Sequence, residues 1–282
     1  MYYPRSGERD VYYDIHSGQG YQSLVDSDQV GLFFNTDGIS PFKSSSLTIW
    51  PIYLAFTNLP PSIRTNKANL VTCAFWVGQT KPLMTIFFKP IQALLSRLAE
   101  KGVSLSASIC VRLKPLFGVF DLIAKAPALN MKQHNGRHGC PVCVHPGTWD
   151  GTRVYLPGNE HPLRTHESMI QDAIEAEHTQ QAINGIKGHS MFSKFLNLAN
   201  GAPTDYMHCV LEGALKKLLV KWIKFSTLGC YIGRQLKDID TLLLKQCPPH
   251  DFIRASRSIK RHQSYWKASE FRNFLLYYSL YW

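Results

Sequence analysis

Apolar positions along the chain come first as short runs and later as helical stripes. Residues 1–28, rich in Tyr, Gly, Asp and Ser, show no period and read as a flank. From Val30, Gly-Leu-Phe-Phe-Asn-Thr-Asp37-Gly38 is a short apolar run closed by a turn signal; it predicts a buried strand with Asp37 at its end. Residues 47–56 and 70–77 predict two more strands. Pro51 implies an edge position or a bulge in the first of these, because proline donates no ladder hydrogen bond. Three strands joined by short turns predict an antiparallel meander.

The period then changes. Met84, Phe87, Phe88, Ile91, Leu94, Leu95 and Leu98 recur at three- and four-residue steps and predict a helix closed by Lys101-Gly102, with Pro90 marking a kink or its true start. Residues 109–120 return to a strand pattern that feeds Asp121, and residues 123–131 fit a short helix. The stretch 149–201 is rich in Gly, Pro, His and polar residues, carries one helical pattern at 167–183, and reads as an insertion. Asp205 fits an N-cap ahead of a stripe at Met207, Val210, Leu211, Ala214, Leu215, Leu218, Leu219, Trp222 and Ile223. Residues 254–267 are basic, and residues 268–281 predict a last amphipathic helix with Glu270 in its first turn. The expected class is α/β, a mixed sheet with flanking helices. Its expected divisions are the flank 1–28, a core over 29–148, a mainly helical insertion over 149–253, and residues 254–282 carrying Glu270.

Charge narrows the choice of partner. Thirty-one Lys and Arg against twenty Asp and Glu give a formal charge of +11, which favours a polyanion, since each neutralised phosphate releases condensed counterions. No run of about eighteen uncharged apolar residues appears, so no membrane span is expected. The first ten residues lack the basic flank and apolar segment of an export signal. Seven cysteines, odd in number and mostly scattered, do not read as a disulfide framework and suit a reducing compartment.

Two kinds of metal chemistry are written into the polar positions. Asp37 and Asp121 close two strands, and Glu270 opens a helix; three such carboxylates suit a pair of Mg²⁺ or Mn²⁺ ions, which take oxygen ligands. Each has a structural alternative, since an Asp before Gly forms turns and a Glu in a first helical turn complements the helix dipole. Cys140-x-x-Cys143 is half of a structural zinc site, and no second such pair exists to complete it. Of eleven histidines, His208 is the first candidate, on the same helix face as Glu212 four residues on, with His145, His166 and Cys209 competing for the fourth place. The run Arg254, Arg257, Lys260, Arg261, His262, Tyr265, Trp266, Lys267 leads into Glu270 and would grip phosphate, or else form a solvated charged loop.

Several stretches in order resemble the transposases of the CACTA (En/Spm) superfamily of cut-and-paste DNA transposons. They are Asn35-Thr-Asp-Gly-Ile-Ser-Pro-Phe-Lys43, Trp50-Pro-Ile-Tyr, Asn58-Leu-Pro-Pro61, Asn130-Met-Lys-Gln-His-Asn-Gly136, Gly139-Cys-Pro-Val-Cys143 through His145-Pro-Gly147, Asp205-Tyr-Met-His-Cys-Val-Leu211, and Trp266-Lys-Ala-Ser-Glu-Phe-Arg-Asn273 with Leu275-Leu-Tyr-Tyr-Ser279. The resemblance implies an RNase H-like fold interrupted by a mostly helical, zinc-pinned insertion. It implies a DDE acid triad of Asp37, Asp121 and Glu270, with Glu212 as the alternative third acid. Cys140, Cys143 and His208 would hold a structural Zn²⁺, and two Mg²⁺ or Mn²⁺ ions would serve DNA strand cleavage and strand transfer. DNA, as transposon ends and target, is the implied partner, the nucleus the implied compartment, and a homo-oligomer is compatible with it. Family members are usually longer, and the chain stops at Trp282 inside the helix after Glu270, so a truncated core is expected. Two further classes stay open: a catalytically inactive relic that only binds DNA or protein, and a zinc-stabilised structural protein unrelated to nucleic acid.

Overall fold

The computed structural model describes residues 14–22, 29–42, 44–154, 161–248 and 254–279. The chain forms two compact units, Met1–Thr204 and Asp205–Trp282. Most of the expected flank over 1–28 lies outside the described residues, as do Lys43 and the end of the last helix.

Among the described residues of the first unit, a 3-10 turn (Ile15–Ser17) and a single helical turn, α1 (Gln19–Gln22), precede a sheet. β1 (Gln29–Thr36) pairs antiparallel with β2 (Thr48–Phe56); the turn α2 (Pro61–Arg64) leads to β3 (Leu70–Gly78), antiparallel to β2. This is the expected meander. β2 is a strand paired on both sides, but its ladder with β1 stops at Ile52, one residue short of Pro51, which pairs only with Phe75 of β3; the register shift in that ladder falls between Ile52 and Tyr53 and leaves Cys73 of β3 as the extra residue. The helical pattern after β3 is divided into α3 (Met84–Phe87) and α4 (Lys89–Glu100), with Pro90 in the first turn of α4, where its missing N–H costs nothing. A two-residue β4 (Val103–Ser104), unseen in the sequence, then pairs with β5 (Cys110–Val119). β5 crosses back to lie parallel to β1, giving the order β3-β2-β1-β5-β4. The fold is therefore mixed α/β, a five-stranded mixed sheet with flanking helices.

After α5 (Leu122–Ala128) come the hairpin β6 (Thr148–Asp150) and β7 (Thr152–Val154) and then α6 (His166–Thr179). Thr165 and Ser168 cap α6 reciprocally, and Gln180 ends it in the left-handed region at φ 56°, short of the expected residue 183. Strand alternation puts Leu32 and Phe34 of β1 and Ile52 and Leu54 of β2 into one core with Phe88, Ile91 and Leu95. Met169, Ala173, Phe192 and Leu196, from the stretch read as an insertion, belong to that same core. Phe192 stacks on Phe34 at 4.7 Å and meets Phe88 edge-on at 4.8 Å, so this stretch closes the sheet's helical face. At 201–204 the chain returns alongside β5: the Gly118 N–H donates to Gly201 O at 2.8 Å, and Thr204 bridges Phe120 in parallel sense.

The second unit is helical. Asp205 is the N-cap foreseen, accepting the Met207 N–H at 2.7 Å and the His208 N–H at 3.2 Å. The helix it opens runs as a π-helix over Tyr206–Leu215 and continues as α7 (Lys216–Lys224). Only Leu211, Leu215 and Leu219 of the long apolar stripe are buried, while Met207 and Leu218 are exposed. Packed with them are Leu236, Ile239 and Leu243 of α8 (Leu236–Lys245), Ile259 of α9 (Ile259–His262), Trp266, and Phe271 of α10 (Ala268–Asn273), which continues as a π-helix over Phe274–Tyr278.

Candidate acid site and its surroundings

β1 and β5 are the only neighbours of the five-stranded sheet that run in the same direction among the described residues. Their register matches Asn35 to Val119, so Asp37 and Asp121, each two residues further, leave adjacent strands at one level. Parallel neighbours lie about 4.8 Å apart, which brings the two carboxylates to one edge of the sheet. The Asn35 side-chain amide donates to Val119 O at 2.7 Å and ties the strands just before the acids. Glycine is required on both sides. A Cβ on Gly38 would meet the Trp50 indole at 2.5 Å, and one on Gly118 would meet the Phe120 ring at 2.6 Å.

Asp121 is half-buried and serves as the N-cap of α5: its Oδ1 accepts the Ala124 N–H at 2.6 Å. The cap fixes the carboxylate at the strand end without consuming Oδ2, which takes no hydrogen bond among the described residues. Asp37 is half-buried as well. No group of three or more His, Cys, Asp or Glu side chains that could hold a metal ion occurs among the described residues, so the site as it stands is a pair.

Cys140 and Cys143 lie in a turn with their sulfurs 3.6 Å apart. Tetrahedral zinc at about 2.3 Å from each sulfur needs a separation of about 3.8 Å, so the spacing fits two ligands of such a site. Burial pushes the Cys143 thiol up from its ordinary value, and the adjoining Cys140 adds to the effect. The turn is held by Arg164, whose buried guanidinium donates to Cys140 O at 2.9 Å, His138 O at 3.0 Å and Asn184 O at 2.7 Å. Of the competing ligands in this unit, His145 accepts the Gly147 N–H through Nδ1 at 2.7 Å and its ring lies 4.3 Å from that of His161. His166 accepts the Leu198 N–H at 3.1 Å. His208 and Cys209 belong to the second unit, where Asp205 Oδ2 pairs with His208 Nδ1. A carboxylate bonded to one ring nitrogen is the usual support of a metal-bound histidine.

Glu270 is also in the second unit, and its surroundings differ from those of the two aspartates. It is buried, with both oxygens engaged: Arg257 Nε donates to Oε1 at 2.6 Å, Arg257 Nη2 to Oε2 at 2.7 Å, and the Lys267 N–H to Oε2 at 2.8 Å. Burial works to raise the Glu270 carboxyl, but the Arg257 and Lys267 hydrogen bonds outweigh it and hold the carboxyl below its ordinary range. Glu212 is half-buried on the π-helix and makes no hydrogen bond or ion pair among the described residues.

Three supporting residues escaped the sequence: Arg257, Arg164, and the buried Asp240, which accepts the Ser258 hydroxyl and the Ile259 N–H. Arg257 and Glu270 are thirteen residues apart, and Arg164 and Cys140 twenty-four, and neither separation has a local periodicity to reveal it. Asp240 did leave a signal: it interrupts the buried stripe Leu236, Ile239, Leu243 of α8, which marks an acid that must find partners inside.

The structure thus defines a mixed α/β protein with two aspartates closing its parallel strand pair, in a chain of formal charge +11. The sequence profile of the transposase family tnp2 matches residues 14–190, more than half of the chain, and the chain belongs to that family. It is a transposase by family, and DNA binding comes with that membership. No curated protein matches the chain. Both aspartates and the Cys140–Cys143 turn fall inside the matched span, whereas His208, the basic segment and Glu270 lie beyond it. No helix among the described residues is long and apolar enough to cross a membrane.

Proposed function

We propose that the chain is the DNA-cleaving core of a cut-and-paste transposase of the CACTA type, built on an RNase H-like sheet, with Asp37 and Asp121 as its paired acids. The observation that carries this reading is the Asn35–Val119 register, which sets both carboxylates at one level on adjacent parallel strands. Carboxylate oxygens suit a divalent cation that keeps water and substrate oxygens in its remaining positions, so Asp37 and Asp121 fit as two ligands of Mg²⁺ or Mn²⁺. When bound, a pair of such ions supplies activation of an attacking oxygen and stabilisation of the leaving oxygen in phosphoryl displacement. The chain's own contribution is placement: the Asn35 bridge and the Asp121 cap hold the carboxylates on a rigid strand end. Glu270, the third acid in this reading, belongs to the second unit, where Arg257 engages both of its oxygens. The Cys140–Cys143 turn would hold a structural Zn²⁺ with histidine completing the set.

Nicking of supercoiled plasmid in Mg²⁺ or Mn²⁺ tests the reading. Asp37→Asn and Asp121→Asn should each lower the rate at least about a hundredfold, because a lost ligand removes several kcal/mol of charge stabilisation. Wild-type nicking that survives both substitutions would reject the acid pair. A second reading, a domain that binds DNA without cleaving it, is favoured by the engagement of Glu270 with Arg257; it predicts DNA binding by a folded wild type with no nicking under any divalent cation.

A further inference from the structure

The basic segment 254–267 is not a loose charged loop. Two buried carboxylates hold it from the inside. Asp240 accepts the Ser258 hydroxyl at 2.5 Å, the Ile259 N–H at 2.6 Å and the Lys260 N–H at 3.3 Å. Glu270 takes the fork of Arg257, whose Nη2 also donates to Tyr265 O at 2.7 Å, and the Lys267 N–H. Ile259 and Trp266 anchor the segment in the core of the second unit. Because both acids are buried and no acid occurs between 254 and 267, the formal charges on the segment's exposed side are all positive: Arg254, Lys260, Arg261 and Lys267 are exposed. Tyr265 stands among them, 72% exposed, with its backbone tied down by Arg257.

We propose that residues 254–267 form a preshaped binding surface for the phosphate backbone of DNA bearing unpaired bases. In it, Arg257 and Glu270 are positioning residues that fix the outer cations instead of contacting phosphate themselves. The proposal rests on the DNA-acting reading and deepens it. A surface held in place before binding loses less conformational freedom than a free loop, so more of its phosphate attraction appears as affinity. An exposed tyrosine among cations offers a face on which an unpaired base stacks, which a fully paired duplex cannot use. Arg257 fits the supporting role because three of its five N–H donors, the Nε–H and both on Nη2, are spent on the Glu270 carboxylate and the Tyr265 carbonyl.

The test is binding of the full chain, by fluorescence anisotropy across a KCl series with no Mg²⁺ or Mn²⁺ added and no chelator, to a blunt duplex and to the same duplex with an unpaired tail. Leaving out Mg²⁺ and Mn²⁺ takes Asp37 and Asp121 out of the question without stripping a zinc from the Cys140–Cys143 turn, so the outcome is independent of nicking. Lys260→Ala with Arg261→Ala should weaken binding and lower the salt slope by about 1.4–1.8. Tyr265→Ala should weaken the tailed DNA about tenfold and the blunt duplex little. Glu270→Gln discriminates by sign: it removes a negative charge, so charge counting alone predicts tighter binding, whereas loss of the clasp predicts roughly fivefold weaker binding. Arg257→Lys keeps the charge without the fork and should weaken binding as well, which covers the case of a Glu270→Gln chain that does not fold. Wild-type affinity in the folded Lys260/Arg261 double variant would overturn the surface. Tighter binding by Glu270→Gln, or unchanged binding by Arg257→Lys, would overturn the positioning role.

Discussion

The acids of the two units are used in opposite ways. At the sheet edge, Asp37 and Asp121 stay half-buried at strand ends, and Asp121 spends one oxygen on a helix cap while keeping the other uncommitted. In the helical unit, Asp240 and Glu270 are buried and saturated, Asp240 with backbone N–H groups and a hydroxyl, Glu270 with a guanidinium and an N–H. A strand end presents a side chain outward from a rigid support and leaves its chemistry available. A helix start offers unpaired N–H groups, and a nearby acid is drawn into satisfying them. Residue type alone therefore does not say which acids do chemistry; the backbone group beside each one does.

That contrast can be broken at several points. The largest stability effect belongs to Asp240→Ala, which strands the Ser258 hydroxyl and the Ile259 N–H inside the second unit and should cost about 3 kcal/mol in denaturant unfolding. Asp37→Asn, which keeps the shape of the side chain, should cost clearly less, and a loss as large as that of Asp240→Ala would erase the distinction between the two kinds of acid. Asp121 lies between these limits. Asp121→Ala removes the cap and should cost about 1 kcal/mol, whereas Asp121→Asn keeps it and should unfold close to wild type. If both variants lose nicking, the cap and the chemistry are separable functions of one carboxylate.

The smallest effect is in the pH dependence of the second unit. The Glu270 carboxyl is held below its ordinary value in the fold, so its contribution is complete above the unfolded carboxyl pKa of about 4.3 and is lost as pH falls through the folded value. Glu270→Gln should therefore be less stable than wild type at neutral pH, with the gap closing in acid. A gap that stays constant from pH 7 to pH 3 would show that the Arg257 pairing does not depend on the carboxylate charge.

The sequence by itself determined the longer strands and helices and the placement of the first two acids after strands, but not the short β4 or the β6–β7 hairpin. The short apolar run from Val30 and the strand pattern over 109–120 predict strands, with Asp37 in the turn signal that closes the first and Asp121 directly after the second. The Pro90 signal, the Asp205 cap and the apolar stripe of the last helix are equally local and are legible for that reason. Tertiary structure alone decided what depends on partners distant in the chain. It made β1 and β5 parallel neighbours in matching register and put Phe192, from a stretch that reads as polar insertion, against Phe34. It gave Arg164 to the cysteine turn and Arg257 to Glu270. The physical reason is that periodicity records which face of an element is buried, because the backbone repeats every two or 3.6 residues. The choice of a partner carries no such repeat and is settled only when the faces pack.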